Sequence, residues 1–191
     1  MKRRVLNYLS RTVLISCLLG ISAVFYFSSP DKIISYIGAE NGYIIIFILA
    51  LVGGLTTFSG VPYHLVLISL ASGGLNPLLL GVITGVGVIL GDSTSYYIGY
   101  GGREIIPEKI RSYLNKLFLF GSRYPRTMPI FFLLYGSMIP LSNDFIVISA
   151  GLARYPFKKV MIPLAMGNLI FNISLAYFGS YSYLLIQRLF S

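Results

Sequence analysis

Charge is scarce in this sequence, and negative charge scarcer still: 11% of the 191 residues are charged, with six acids against fifteen Lys and Arg. A soluble domain carries roughly 25% charged residues, so water is excluded as the main solvent of this chain. The single cysteine, Cys17, excludes an intramolecular disulfide and a cysteine metal cluster. The single histidine, His64, excludes the usual zinc ligand sets, and no His-Glu-x-x-His, Gly-x-Ser-x-Gly or phosphate-cradling glycine loop occurs. A dyad of Ser59 or Ser142 with His64 is the one nucleophilic arrangement left open. The chain is therefore read as a non-enzyme that needs neither metal nor other cofactor.

Hydrocarbon fills the space that charge leaves. Hydrophobic residues make up 55% of the chain, and the mean hydropathy is +0.78. The windows Thr12–Ser28, Tyr43–Pro62, Leu78–Tyr100, Thr127–Ala153 and Val160–Phe178 contain no Lys or Arg, and their only acids are Asp92 and Asp144. An all-α integral membrane protein follows. The first window, preceded by Lys2, Arg3 and Arg4, reads as an uncleaved anchor. Leu14-Ile15-Ser16-Cys17 loosely resembles a lipoprotein cleavage box, but Arg11 interrupts the stretch and no small-x-small site precedes Ser28-Ser29-Pro30.

The net charge of +9 sits in short segments between the apolar windows. That arrangement favours anionic lipid as the partner, with no nucleic acid; a homo-oligomer is left open. Four basic residues precede the first window, six lie between Gly101 and Arg126, and three lie in Arg154–Lys159. The positive-inside tendency puts these three segments, and the N-terminus, in the cytoplasm of a cell that carries the protein in its plasma or inner membrane. Pro30–Gly42 and Gly73–Pro77 then face outward.

On this assignment the stretch after Tyr43 starts and ends outside, and the stretch after Thr127 starts and ends inside. Each has a helix break at its centre: Gly60 and Pro62 in the first, Pro140 in the second. Two re-entrant helical hairpins entering from opposite faces are expected, although two short full spans would satisfy the same charges. Each hairpin precedes a long helix. Gly87, Asp92, Tyr97 and Gly99 in one recur at the same spacing as Gly167, Asn172, Tyr177 and Gly179 in the other; Pro62 and Pro140 each precede a glycine, Gly73 and Gly151, by eleven positions. Two units of inverted topology are expected, as in secondary transporters with a site between the halves.

The organisation expected is residues 1–42 for the cytoplasmic N-terminus, anchor and external loop, and 43–191 for the membrane domain. Within the latter, 43–100 form the first unit, 101–126 a basic linker, 127–179 the second unit and 180–191 a tail. Leu78–Gly99 would be about 33 Å long as a helix, enough to span. Gly81, Gly85 and Asp92 lie along one of its faces, and Gly87 with Gly91 offers a second close-packing face. In the linker, Ile106, Ile110, Tyr113, Leu114 and Leu117 recur at helical spacing after Pro107. This is an amphipathic helix on the inner membrane surface or one docked on the bundle.

A carboxylate in a bilayer costs several kcal/mol unless it faces a polar cavity or is protonated, so Asp92 and Asp144 are the leading site residues. Asp144, beside Ser142 and Asn143 at the second break, either lines a polar pathway or caps the returning arm. His64 is either a packed neutral imidazole or a group that titrates during a transport cycle. Asn172, in the repeat position of Asp92, supplies a polar contact or joins two helices. Asp92, Asp144, His64, Asn143 and Asn172 together form the expected substrate and proton pathway.

These residues also resemble a known family. Opposed hairpins with Gly91-Asp92, Tyr97 and Gly99 at the end of the following helix, then a basic linker and a proline-broken second hairpin running into Ala150-Gly151, are similar to the DedA family, also called the VTT or SNARE-associated family. Pro140 and Asp144, followed by Ala150-Gly151 and Gly167-Asn168, are closer to its small YqaA-like branch. The resemblance covers roughly Tyr43 to Gly179. It implies lipid translocation: a flippase or scramblase of phospholipid or of a polyprenyl-phosphate carrier, with proton-motive force involved. Many members carry a Glu where this chain has Tyr63-His64, and an Arg on each side of the second proline where it has Ser137 and Asn143. Those departures bear on how a phosphate headgroup would be held there. A non-transporting membrane scaffold or assembly factor and an ion or small-solute secondary transporter are the alternative functions.

Overall fold

The computed structural model describes residues 35, 38–55, 63–123, 127–139 and 142–190. Among these it contains seven helices and no strand: α1 (Ala39–Leu55), α2 (Tyr63–Ser72), α3 (Pro77–Gly102), α4 (Glu108–Arg123), α5 (Thr127–Met138), α6 (Asp144–Leu152) and α7 (Phe157–Phe190). The expected N-terminal anchor and the breaks at Gly60, Pro62 and Pro140 lie outside the described residues.

α3 and α7 are the only helices among these that are long and apolar enough to cross a bilayer. At about 1.5 Å per residue, the 26 residues of α3 extend about 39 Å. Their exteriors are apolar at one-turn spacing: Leu78, Val82, Val86 and Leu90 on α3, and Ile162, Met166 and Ile170 on α7, are all exposed. α1 continues the pattern with Ile44 and Ile48. Such contiguous apolar stripes would be a liability in water and are an ordinary surface in lipid.

Two triplets, α1–α3 and α5–α7, are built alike. In each, the first short helix packs on the long helix of its own triplet and the second short helix packs on the long helix of the other. Glycine makes these exchanges possible. A Cβ on Gly99 would collide with the Ile148 carbonyl of α6, and one on Gly179 would lie 2.9 Å from the Ile68 carbonyl of α2. Ile68 and Ile148 are separated by the same eighty positions as Gly99 and Gly179.

The turn closing each short helix repeats at that interval too. Gly74 N donates to Ala71 O and Leu75 N to Leu70 O; Arg154 N donates to Gly151 O and Tyr155 N to Ala150 O. Each is a Schellman cap, with its C′ residue left-handed: Gly74 at φ 97° and Arg154 at φ 55°. This corrects the proline-to-glycine spacing read from the sequence. The turn places Gly73 opposite Ala153, whereas Gly151 serves a different purpose, letting the α3 backbone at Tyr96 and Tyr100 approach α6.

The expected faces of α3 are present. Gly81 and Gly85 meet Ile173 and Leu169 of α7, while Gly87 and Gly91 meet Ala50 and Gly54 of α1. The linker helix begins at Glu108, directly after Pro107. It docks through buried Phe118 against Tyr155, with ring centroids 5.2 Å apart, and leaves Ile110 and Tyr113 exposed. Arg103 precedes that helix and turns back, its Nη1 donating to Leu152 O at 2.6 Å and its Nη2 to Asn115 Oδ1 at 3.2 Å.

Two apolar cores result. One gathers Ile46, Leu67, Leu70, Leu80 and Ala176; the other gathers Tyr96, Phe132, Val147, Val160 and Leu164. α3 runs from the first to the second and α7 from the second to the first. Between the two cores, both helices carry polar residues.

Candidate functional site

Along α3, Thr84, Asp92 and Ser95 are buried; along α7, Asn168 and Asn172 are buried. Thr84 is satisfied within its own helix through Leu80 O, and Ser95 Oγ donates to Gly54 O of α1 at 3.1 Å. Asp92 is different, because the donors to its carboxylate among the described residues come from the other triplet. Asn143 Nδ2, at the start of α6, donates to Asp92 Oδ2 at 2.9 Å, and Asn168 Nδ2, from α7, donates to the same oxygen at 3.0 Å. Asn143 Nδ2 also reaches Asn168 Oδ1 at 3.0 Å, closing a triangle of three side chains from three helices.

The close approach of α5 holds Asn168 in place. A Cβ at Gly136 would lie 3.1 Å from Asn168 Oδ1, so any larger residue there would push on the triangle. Asp144 directly follows Asn143 in the chain. It is as buried as Asp92, each 1% exposed. Ser142 Oγ donates to Asp144 Oδ2 at 2.9 Å, and Tyr135 Oη donates to Ser142 O at 3.2 Å.

The capping reading of Asp144 fails on geometry. Asp144 is the first residue of α6, and the amides of Ile146 and Val147 donate to the Asn143 carbonyl. Among the described residues, Asp144 Oδ1 has no hydrogen-bond donor. A buried carboxylate oxygen with no donor costs free energy.

The remaining expected residues form a second, looser group. Asn172 Nδ2 donates to Asn168 O at 2.8 Å, within its own helix, and its Oδ1 has no donor in good geometry among the described residues. Asn172 therefore makes no direct bond to Asp92. The Tyr63 side chain of α2 reaches it. His64 lies in the first turn of α2, stacked 3.8 Å from the Tyr63 ring and edge-on to Phe171 of α7 at 5.6 Å. The structure thus brings Asp92, Asp144 and Asn143 together, and puts Asn172 and His64 in the corresponding place of the other triplet. Tyr63 is separated from Asn143, and His64 from Asp144, by the same eighty positions that relate Asp92 to Asn172.

Asn168 and Tyr63 were not among the expected site residues. Asn168 carried a usable signal: it lies one turn before Asn172 on the same face of an apolar helix, and polar residues within such helices face protein. Tyr63 carried none, because tyrosine is equally at home on an apolar surface.

A carboxylate at the middle of a lipid-clad helix, held by amides from a related triplet, is the arrangement the sequence comparison can be asked to place. A family model for the VTT domain matches residues 61–181, which is most of the chain and all of the site. The chain belongs to the VTT-domain, or DedA, family. No curated protein and no solved structure matches it significantly. Within this VTT protein the matched segment begins just before Tyr63 and runs through α7 past Gly179, so it contains both triangular and looser half-sites. Family membership and the two apolar helices long enough to span make it a membrane protein, which is consistent with a transport-related role.

Proposed function

We propose that this VTT protein moves a lipid between leaflets, as a flippase or scramblase of phospholipid or of a polyprenyl-phosphate carrier, with proton binding at the Asp92–Asp144 pair coupled to the movement. The observation that supports this reading most is the Asp92 carboxylate, buried along a span and bound, among the described residues, by side chains of the other triplet. A group that joins two related halves across their interface changes its surroundings when one half rocks against the other, which is how alternating-access proteins link a site to both faces.

In the conformation described, both acids are closed off from the surface, so a headgroup reaches them only after the triplets separate. The two side-chain bonds that Asn143 and Asn168 make to Asp92 are the ones that separation would break. Protonation would weaken them, because a neutral carboxyl accepts amide hydrogen bonds less strongly than a carboxylate. The proposal includes hairpins that are re-entrant and inverted, a plasma or inner membrane location with the N-terminus inside, membrane lipid rather than nucleic acid as partner, and no bond-making chemistry. Placement in the YqaA-like branch rests on the Pro140 and Asp144 pattern with Ala150-Gly151.

Lipid movement is tested in vesicles that contain only the purified protein. Faster transbilayer exchange of a labelled phospholipid or polyprenyl phosphate than in protein-free vesicles supports the reading; no acceleration across several lipid compositions favours a scaffold. Orientation is tested separately. With Cys17 replaced, single cysteines at Ser35, Ser112 and Ala153 should be labelled from outside intact cells at the first position alone, and labelling at Ser112 would reverse the topology.

A further inference from the structure

A cleft of about 370 Å3 opens between α4 and the start of α7. Two of its lining side chains are cations, Arg154 and Lys159, set beside Asn115 and an apolar wall of Phe118 and Tyr155. Lys158 adjoins it in sequence. The carboxylate facing this cluster is Glu104, 3.8 Å from Arg154 Nη2, but its side chain is 83% exposed, and such surface pairs neutralise little. Arg154 also lies 5.1 Å over the Tyr100 ring.

The equivalent turn in the first triplet, residues 74–79, carries no charge. There Asn76 accepts from Leu78 N at 3.0 Å and Leu79 N at 3.1 Å, capping α3 with its own side chain. Eighty positions on, Asn76 becomes Pro156, which has no side-chain acceptor, and Leu78 and Leu79 become Lys158 and Lys159. Two lysines then stand in the first turn of a 34-residue helix, where the macrodipole is positive and cations are disfavoured. The left-handed residue changes from Gly74 to Arg154, and a side chain in that conformation costs about 1 kcal/mol relative to glycine. Pro156 loses the cap without adding charge, whereas Lys158, Lys159 and Arg154 each cost stability and each add positive charge around the cleft.

We propose that this cleft binds the phosphate group of an anionic phospholipid. The phosphate would offset the cations at the α7 start and engage Arg154 in a bidentate pair, the geometry that guanidinium suits best. Phosphatidylglycerol-type headgroups fit the position. The cleft lies at the end of a span whose next turns, Ile162, Met166 and Ile170, face lipid, so it sits at headgroup depth. The inference rests on membership of a membrane family and not on lipid transport; a protein that moves nothing could hold this lipid.

The full chain reconstituted in phosphatidylcholine nanodiscs, with phosphatidylglycerol raised stepwise at fixed ionic strength, gives thermal unfolding midpoints that report binding. The wild type should rise and saturate. Arg154→Gly and Lys159→Gln should each weaken the apparent affinity about tenfold, and Arg154→Gly should unfold no earlier than wild type in pure phosphatidylcholine because it restores the residue the turn prefers. Arg111→Gln, a cation on α4 that does not line the cleft, should respond as wild type does. The proposal is overturned if both cleft variants respond like wild type, or if Arg111→Gln loses the response equally, which would mean diffuse surface charge. Inorganic phosphate against chloride of equal ionic strength separates the sources. Stabilisation by inorganic phosphate that both cleft variants lose would assign the cleft to a soluble anion and overturn the lipid assignment, whereas no phosphate effect alongside a saturable phosphatidylglycerol effect supports it.

Discussion

At position 92 the first long helix carries a carboxylate, and at the equivalent position 172 the second carries a carboxamide. Above Asp92 the neighbouring triplet supplies Asn143 and Asp144; above Asn172 it supplies Tyr63 and His64. The backbone frame is the same in both places, down to the Schellman turns and the glycine contacts at Gly99 and Gly179. The side chains set into it are not. One half-site holds two acids and is bridged by amides, and the other is acid-free and aromatic, with an Asn172 oxygen that has no donor among the described residues. A duplicated frame therefore fixes where a polar group can stand, while the chemistry at each copy is free to diverge.

The sharpest way to break the idea of a shared frame is to fill its close contacts. Gly151→Val would drive a branched side chain into the α3 backbone at Tyr96, and nothing there can move without moving the helix. We expect a loss above about 3 kcal/mol, seen as failure to accumulate in the membrane or as a collapsed unfolding midpoint in detergent. Gly101→Ala is the matching control, because a Cβ there meets nothing within 4 Å. It should be neutral or stabilising by about 0.5 kcal/mol through helix propensity. Equal behaviour of the two would mean the helices are not in reciprocal contact.

The next effect sharpens the contrast between half-sites. Asp92→Ala would leave the Asn168 amide without its acceptor and the Asn143 amide with Asn168 Oδ1 alone, at a cost of about 2 kcal/mol. Asp92→Asn retains an oxygen that can accept both, so its unfolding midpoint should stay close to wild type. The same asparagine variant should nonetheless lose lipid movement or its pH dependence, since it cannot exchange a proton. Asp144→Asn should also fold and lose pH dependence. Wild-type-like, pH-dependent exchange in both variants would remove proton coupling from the proposal.

Much of the frame could be read from residue order because lipid imposes few solutions. A chain with so little charge must place its rare acids against protein, and Asp92 and Asp144 could be found for that reason alone. The common spacing of Gly87, Asp92 and Gly99 with Gly167, Asn172 and Gly179 was legible because close helix contact tolerates few residues besides glycine. The proline-to-glycine spacing misled, because glycine serves both as a turn residue at Gly73 and as a contact residue at Gly151, and sequence does not separate the two uses. The exchange of α2 and α6 between triplets was not legible at all. It depends on which long helix each short arm meets, a choice made by shape between segments far apart in the chain, as Gly99 is from Ile148 and Gly179 from Ile68. Asn168 went unseen for a related reason: its role depends on Asp92 and Asn143, partners on other helices that residue order does not name.

The smallest expected difference isolates the amide network from simple packing. Asn168 and Asn172 sit one turn apart on α7, both buried, so cutting either to alanine removes the same atoms and leaves a similar void. The polar consequences differ. Asn168→Ala takes one donor from Asp92 and one acceptor from Asn143. Asn172→Ala removes a bond to its own helix carbonyl together with an oxygen that has no donor among the described residues, and a buried orphan is a group whose loss costs little. Asn168→Ala should therefore be the less stable by about 1 kcal/mol or more, measured as the difference between two unfolding midpoints in the same detergent. That difference should shrink when each is combined with Asp92→Asn, because sites in one network are coupled and their effects do not add. If the two alanine variants unfold together with Asp92 intact, the bridge to the carboxylate adds nothing beyond packing, and the two half-sites are energetically as alike as their backbones.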